Sequence, residues 1–550
     1  MEKFKVSCMK KNYEVEPLLT VEEFIFKHEI KVNDPVAVVI NGVLARLNAK
    51  IRTDSALDVI DLESQLGKRI YESSVTYLFV VAFTKLYPKL NVFIQHSIQK
   101  GVYAEIDGAE LSVEEIEKIA EKMKQMVEAD MEINQVTRDW DVSMSTMKEK
   151  ERNDMLNLYR YYSPSSFKFY ELDGVEESVY LPLLPSTKHL KYFHIQKYRD
   201  GVVIILPEFI GGSKDIPVFE DRPRLFKTFQ EYNEWTRILK VRTVGQLNKY
   251  IMNGQIDDLI KVAEAFHEKR VANIADQITK GEKPKRLVLI AGPTSSGKTT
   301  FSKRLGIQLM VNGFNTVPIS MDNYFVDRAH TPKDAEGNFD FESLDAIDVP
   351  LFMEHINRLL LGEEVEIPRF DFHTGSKRPS GYKLKLSKNE IVVIEGIHGI
   401  NPKLTSSVSS DDKFKIYIAP LTQLNLHRHD RIPASDTRLI RRIVRDSFFR
   451  GYTASETIGR WRSVRAGEKK NIFPLQEEVD TVYNSALFYE LSVLKVHAER
   501  ELLRVERGDP VYPESQRLLK FLSYFLPLDA ADIPSTSIIK EFIGGSSFKY

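Results

Sequence analysis

LVLIAGPTSSGKT, Leu287 to Thr299, is the stretch on which the fold turns. Its five leading apolar residues predict a buried strand, and a helical run, TFSKRLGIQLMV, follows at once. The loop between, Gly292, Pro293, Thr294, Ser295, Ser296 and Gly297, obeys the spacing GxxxxGK[ST] in its required strand-to-helix context. Its glycines let main-chain N–H groups wrap phosphate oxygens, and the helix opening at Lys298, Thr299 and Thr300 adds favourable potential. Lys298 is placed to reach β and γ oxygens, and the Thr299 hydroxyl to face Mg²⁺. A chance match in a Gly/Ser loop is the competing reading, and the flanking strand and helix weigh against it.

Outward from this loop, apolar strands alternate with helices, the mark of a parallel α/β sheet. TVPIS, Thr316 to Ser320, predicts a strand ending at Met321-Asp322-Asn323-Tyr324, and IVVI, Ile391 to Ile394, another ending at Glu395-Gly396. Ligands gather at the carboxyl ends of parallel strands, so Asp322 and Glu395 are candidates beside the phosphates. Asp322 could take a hydroxyl proton or order Mg²⁺ waters, and Glu395 could hold Mg²⁺ through water. An Asp after a strand is also an ordinary cap, and Glu395 an ordinary solvated end. Arg438, Arg441, Arg442 and Arg445 lie three or four apart on one predicted helix, with Arg450 at its exit. Beside such a loop they suit a lid over phosphates, against the bland reading of a basic solvated face.

The chain has 550 residues, enough for about three domains. A net charge of -1 with 42% hydrophobic residues gives no bulk field for nucleic acid or anionic membrane. Cys8 is the single cysteine, which rules out a disulfide framework. No apolar run approaches the ~20 residues of a membrane span. The charged N-terminus lacks a signal-peptide core, so the expected location is cytoplasmic.

Before the loop, VAVVINGVLARLNAKI around Asn41-Gly42 predicts a hairpin in a small β-rich module. Helical patterns follow over Leu62 to Pro88 and Val113 to Met131, in an α+β unit that closes near Gly211-Gly212. Residues Phe226 to Gly281 read as helices linking to the next unit. One short repeat stands apart: EFIGGS occurs at Glu208 to Ser213 and at Glu541 to Ser546. Coincidence and a paired structural role are evenly matched, and no chemistry is assigned to it.

From Leu287 onward the motifs resemble the uridine kinase and phosphoribulokinase family. SMDNYF matches the strand ending in the catalytic Asp, and NFDFESLDA (Asn338 to Ala346) resembles the segment with an acceptor-binding Asp. IPRFDF (Ile367 to Phe372) is similar to the substrate loop, IEGIHG to the second acidic strand and DTRLIRRIVRD (Asp436 to Asp446) to the lid. The resemblance implies ATP and Mg²⁺, with Asp322, Lys298 and Arg445 catalytic. Gly292 to Thr300, Arg441 and Arg442 would serve ATP, and Thr299, Asp322 and Glu395 the metal. Asp345, Phe370, Tyr324, Arg438 and Arg460 would bind the acceptor. Nucleoside-binding members carry Tyr and His where this chain has Phe370 and Gly375, and Gln-Tyr where it has Arg460-Trp461, so groups that read a pyrimidine are exchanged.

The first 62 residues are similar to a TGS domain, and 63–215 to the second additional, editing-type domain of threonyl-tRNA synthetases. Glu72 and Thr76 stand where that domain has the two His of its HxxxH metal motif, and Tyr180 to His189 lacks the later ligands, so a zinc centre is dismantled. The expected organisation is then a TGS-like domain (1–62), a degenerate editing-like domain (63–215), a helical linker (216–284), an α/β kinase domain with a parallel sheet (285–525) and a tail (526–550). The expected activity is phosphoryl transfer to a nucleoside. The alternatives are a sugar or sugar phosphate as acceptor, or an RNA- or ribosome-associated NTP-binding regulator. Asp322 and Asp345 favour a kinase, because a switch needs no acceptor-side base. The partner is a small-molecule acceptor, nucleic acid lacks a basic tract to support it, and homo-oligomers are frequent in the resembled family.

Overall fold

A computed structural model describes residues 3–549 apart from 163, 334–336, 338, 341–342, 372–373 and 423. Asn338, Phe341, Glu342 and Phe372, which carry part of the resemblance above, lie outside the described residues.

The predicted strand forms as β1 (Leu287–Ala291), every residue buried, and runs into helix α1 (Lys298–Val311). It is flanked by β2 (Asn315–Ser320), β3 (Glu390–Glu395), β4 (Lys413–Ala419) and β5 (Thr481–Asn484) in the order β2-β3-β1-β4-β5, all parallel. Parallel strands covered on both faces read as continuous apolar runs, which is why LVLIA and IVVI were legible. Helix α2 (Ala434–Phe449) follows β4, and helix α3 (Ala454–Asn471) leads toward β5. A hairpin, Val365–Asp371 against Ser376–Leu384, stands between β2 and β3 in the chain.

The N-terminal module is a five-stranded mixed sheet with its own core of Val6, Val15, Phe24, Val38 and Leu57. Asn41 and Gly42 take φ of 50° and 83°, the two left-handed residues that a tight hairpin between Pro35–Ile40 and Val43–Ala45 requires. Next comes the long helix Gln65–Leu86 over a four-stranded antiparallel sheet, 91–98, 101–107, 194–198 and 201–205.

Two boundaries differ from the sequence expectation. The linker is three helices, Pro223–Ile238, Val244–Met252 and Ile256–Thr279, and Leu247, Val271, Ile274 and Ile278 share one core with Val288 and Ile290 of β1. The tail is no loose end either, since Ile538, Ile539 and Phe542 are fully buried in that core. Short helical stretches full of polar residues read as connectors, and only burial of their sparse apolar faces reveals them as layers of the α/β unit.

The two halves are tied by buried polar contacts. Ile94 N–H donates to the Arg428 carbonyl at 2.8 Å, and Asn425 Nδ2 to the Ile94 carbonyl at 2.7 Å. Asp436 at the start of α2, fully buried, takes Arg69 of the long helix at 2.6 Å and Arg517 at 2.7 and 3.0 Å. Burial alone would raise its carboxyl, but Arg517 and Arg69 overcome that and hold it down at about 2.

Candidate active site

The loop after β1 is built by close approach. A Cβ at Gly292 would fall 2.1 Å from the Ile418 carbonyl oxygen of β4. Gly297 adopts φ +85° as the residue before α1, and Ser295 sits at φ +58°, a costly region for a side chain. Strain of this kind concentrates where backbone amides must converge on a ligand. Lys298 Nζ folds back to donate to the carbonyls of Gly292 (2.8 Å) and Pro293 (3.1 Å). Desolvation lowers its pKa, and Glu395 followed by Glu541 opposes that.

Glu395, at the end of β3, accepts a hydrogen bond from Thr299 Oγ1 at 3.2 Å, and its other carboxylate oxygen is buried without a partner among the described residues. Burial raises its pKa, with Lys298 pulling the other way. An orphaned carboxylate oxygen beside the loop threonine fits Mg²⁺, which takes one or two carboxylates and completes its shell with phosphate and water. No group of three or more His, Cys, Asp or Glu side chains gathers as a metal site among the described residues; Thr299 and Glu395, with Asp322 after the neighbouring strand, are the groups that would hold it.

Asp322 lies in the short turn Met321–Tyr324 directly after β2, and Asp345 in the turn Leu344–Ala346. The two turns are zipped together: Val326 N–H donates to the Ala346 carbonyl at 2.9 Å, and Asp348 N–H to the Tyr324 carbonyl at 2.8 Å. Both aspartates are exposed. The recess around Asp322 still raises its pKa by desolvation. Phe370, on the hairpin, is buried and meets Phe325 edge-on, ring centroids 5.6 Å apart. Tyr324, expected to touch the acceptor, is instead fully buried and its hydroxyl bonds His355 Nδ1 at 3.1 Å. The aromatic that closes this short turn points under it, and nothing in SMDNYF distinguishes the two faces.

The arginines of α2 divide. Arg438 donates to the Thr294 carbonyl at 3.0 Å and pairs with Glu468. Arg441, with no exposed surface, binds Glu490 (2.7 Å), the Ser295 carbonyl (3.3 Å) and the Ser485 carbonyl (2.8 Å). Both brace the loop from behind. Arg442 and Arg445 bind Asp446 at 3.1 and 2.8 Å. Arg460 is exposed, its guanidinium over the Tyr452 ring at 4.4 Å.

Three carboxylates that shape the site escaped sequence reasoning. Glu468 accepts from Thr294 N–H at 2.9 Å, and Glu490 neutralises Arg441. Glu541, from the second EFIGGS copy, accepts from Thr300 N–H (3.1 Å) and Oγ1 (2.7 Å) at the start of α1. Ile538 of the same segment closes on Gly297, where a Cβ would come within 2.6 Å of it. The repeat was the one signal available, and it did not say what its glutamate met.

A family model described as "Phosphoribulokinase / Uridine kinase family" matches residues 287–487. A uridine kinase of Mycoplasma genitalium is 31% identical over 182 residues, 33% of this chain and 75% of that protein. One of Deinococcus deserti is 30% identical over 172 residues, 31% of this chain and 72% of that protein. The N-terminal region is similar to a threonine–tRNA ligase of Clostridium novyi, 30% identical over 182 residues, 32% of this chain. The chain spans 28% of that ligase's length.

Proposed function

The chain belongs, through its C-terminal part, to the phosphoribulokinase and uridine kinase family, and on that premise we propose that it moves the γ-phosphate of ATP to a hydroxyl of a small molecule, a nucleoside foremost. The observation that carries this reading is the zipped pair of turns that sets Asp322 and Asp345 at the carboxyl edge holding Lys298, Thr299 and Glu395. The loop amides and Lys298 bind the β and γ oxygens, and Lys298 leaves the Gly292 and Pro293 carbonyls to do so. Bound Mg²⁺ neutralises charge on those oxygens, with Thr299 and Glu395 among its protein groups. Asp345 orients the acceptor hydroxyls and Asp322 takes the proton of the attacking one, its raised pKa bringing it closer to the working pH of a general base.

One observation favours a phosphate-bearing acceptor. Arg369 and Arg378 are exposed and directly opposite on the hairpin strands, a concentration of positive charge that Asp371, 3.7 Å from Arg378, offsets in part and an anionic acceptor would offset further. ATP consumption with Mg²⁺ across nucleosides, pentoses and sugar phosphates separates these readings. Turnover on a nucleoside supports the first and preference for a sugar phosphate the second. If no acceptor stimulates ATP use, both fall.

A further inference from the structure

Between the helix Gln65–Leu86 and the segment joining β4 to α2 lies a cavity of about 620 Å³, a size usual for small-molecule sites. It is distinct from the transfer edge. Lys298, Asp322, Asp345, Glu395 and Phe370 do not line it, and Pro293 alone represents the phosphate loop on its wall.

Eight basic side chains and five carboxylates line it; Asp436 and Glu468, just behind the wall, pair with Arg69, Arg438 and Arg465, and burial pushes one lining carboxyl, Asp430, up to about 7. Lys68 forms no ion pair among the described residues, and desolvation together with nearby Lys469 lowers its pKa, as crowding of cations should. Five lining residues also keep buried polar atoms without a hydrogen-bond partner among the described residues: both ring nitrogens of His96, the Nε atoms of Arg222 and Arg465, His429 Nδ1, which faces Glu177 Oε1 at 2.8 Å, and one acceptor, Glu177 Oε2. His96 is 7% exposed and lies flat on Phe229, planes 7° from parallel. Burial holds its pKa well below the usual value, so it is a neutral ring with one donor and one acceptor at pH 7. Buried donors left unmet are costly, and several around one void call for an acceptor-rich occupant. Guanidinium N–H groups suit tetrahedral oxygens, while the His96 and Phe229 stack with Val80 and Leu225 forms an apolar wall.

We propose that this cavity is a second binding site, for a small phosphomonoester whose phosphate meets the basic wall and whose organic body lies against the His96 and Phe229 stack. Its wall comes from both halves of the chain, which gives the N-terminal half a ligand to recognise. The site also adjoins the phosphate loop, because Arg438 on its wall donates to the Thr294 carbonyl.

Calorimetric titration of the full chain with ribose 5-phosphate, adenosine 5′-monophosphate and uridine 5′-monophosphate tests this. The variants are Lys68→Ala, His96→Phe, which keeps the stack without the nitrogens, and Asp322→Asn. At least one probe should bind saturably, with Lys68→Ala weakening it about tenfold, the worth of one charge-assisted hydrogen bond. His96→Phe should weaken it several-fold and Asp322→Asn leave it unchanged, all three variants melting as wild type does. No saturable binding of any probe would overturn the proposal and leave the cavity to water. Binding that Asp322→Asn weakens as much as Lys68→Ala would overturn it too, by placing the probe in the transfer site.

Discussion

The two EFIGGS copies share six residues but neither their backbone course nor their neighbours. In the first, Phe209 takes φ +48° and packs on Tyr71 and Tyr192, while Glu208 pairs with Lys469 at 2.9 Å and Lys100 at 3.4 Å at the junction of the halves. In the second, Lys540–Ile543 is a helical turn, Phe542 is fully buried under the Arg441 guanidinium, and Glu541 caps α1 beside the phosphate loop. Both keep a buried ring, a partnered carboxylate and left-handed glycines. One glutamate joins two surfaces of the fold; the other sits where an anionic ligand belongs. The difference teaches that a repeated string carries its packing with it, while its chemistry is set by what the fold puts opposite.

The comparison can be broken at four points. The largest effect belongs to neither copy: Asp322→Asn should slow turnover about 10²–10⁴-fold with ATP binding nearly intact. Because the Asp322 pKa is raised, the acid limb of kcat/KM should lie above the ordinary aspartate range and vanish in this variant. A carboxyl whose pKa is raised on folding weakens the fold once ionised, so stability at pH 7 should be unchanged or slightly higher in Asp322→Asn. Equal turnover would remove Asp322 from the chemistry. Next, Phe209→Ala and Phe542→Ala should each lose about 3–5 kcal/mol in denaturant unfolding, and a large disparity would end the claim that the packing is shared.

Glu541→Gln should then separate the copies. It removes an anion that competes with phosphate for Thr300 N–H, so KM for ATP should fall several-fold while stability drops about 1–3 kcal/mol. Lost stability with unchanged KM would make Glu541 a helix cap and nothing more. Glu208→Gln should matter least. Its ion pairs are about a third exposed, so about 1 kcal/mol or less is expected, with KM for ATP unmoved.

Much of the site was legible because its chemistry is local in sequence. Gly292 to Thr299, the strand-end Asp322 and the strand-end Glu395 each announce themselves within a few residues of an apolar strand, since backbone geometry alone fixes where a strand end and a helix start point. Tyr324 and Arg441 were misplaced for the converse reason. Whether a side chain beside a turn or on an amphipathic helix faces ligand or core depends on what packs against it, and Glu490 and His355 are distant in sequence. The cavity at the junction was invisible for the same reason, because its wall draws on residues from 65 to 476.

The sequence by itself determined the parallel α/β core, its phosphate loop and the β-rich module at the start, because hydrophobic period, glycine spacing and the Asn-Gly turn act over a few neighbouring residues. Only the tertiary structure decided that the supposed linker and tail are layers of the core, that Glu468, Glu490 and Glu541 hold the loop and the α2 arginines that brace it, and that two units enclose a cavity. Those outcomes rest on burial and charge pairing across hundreds of residues, and a carboxylate's partner is not written in its own neighbourhood.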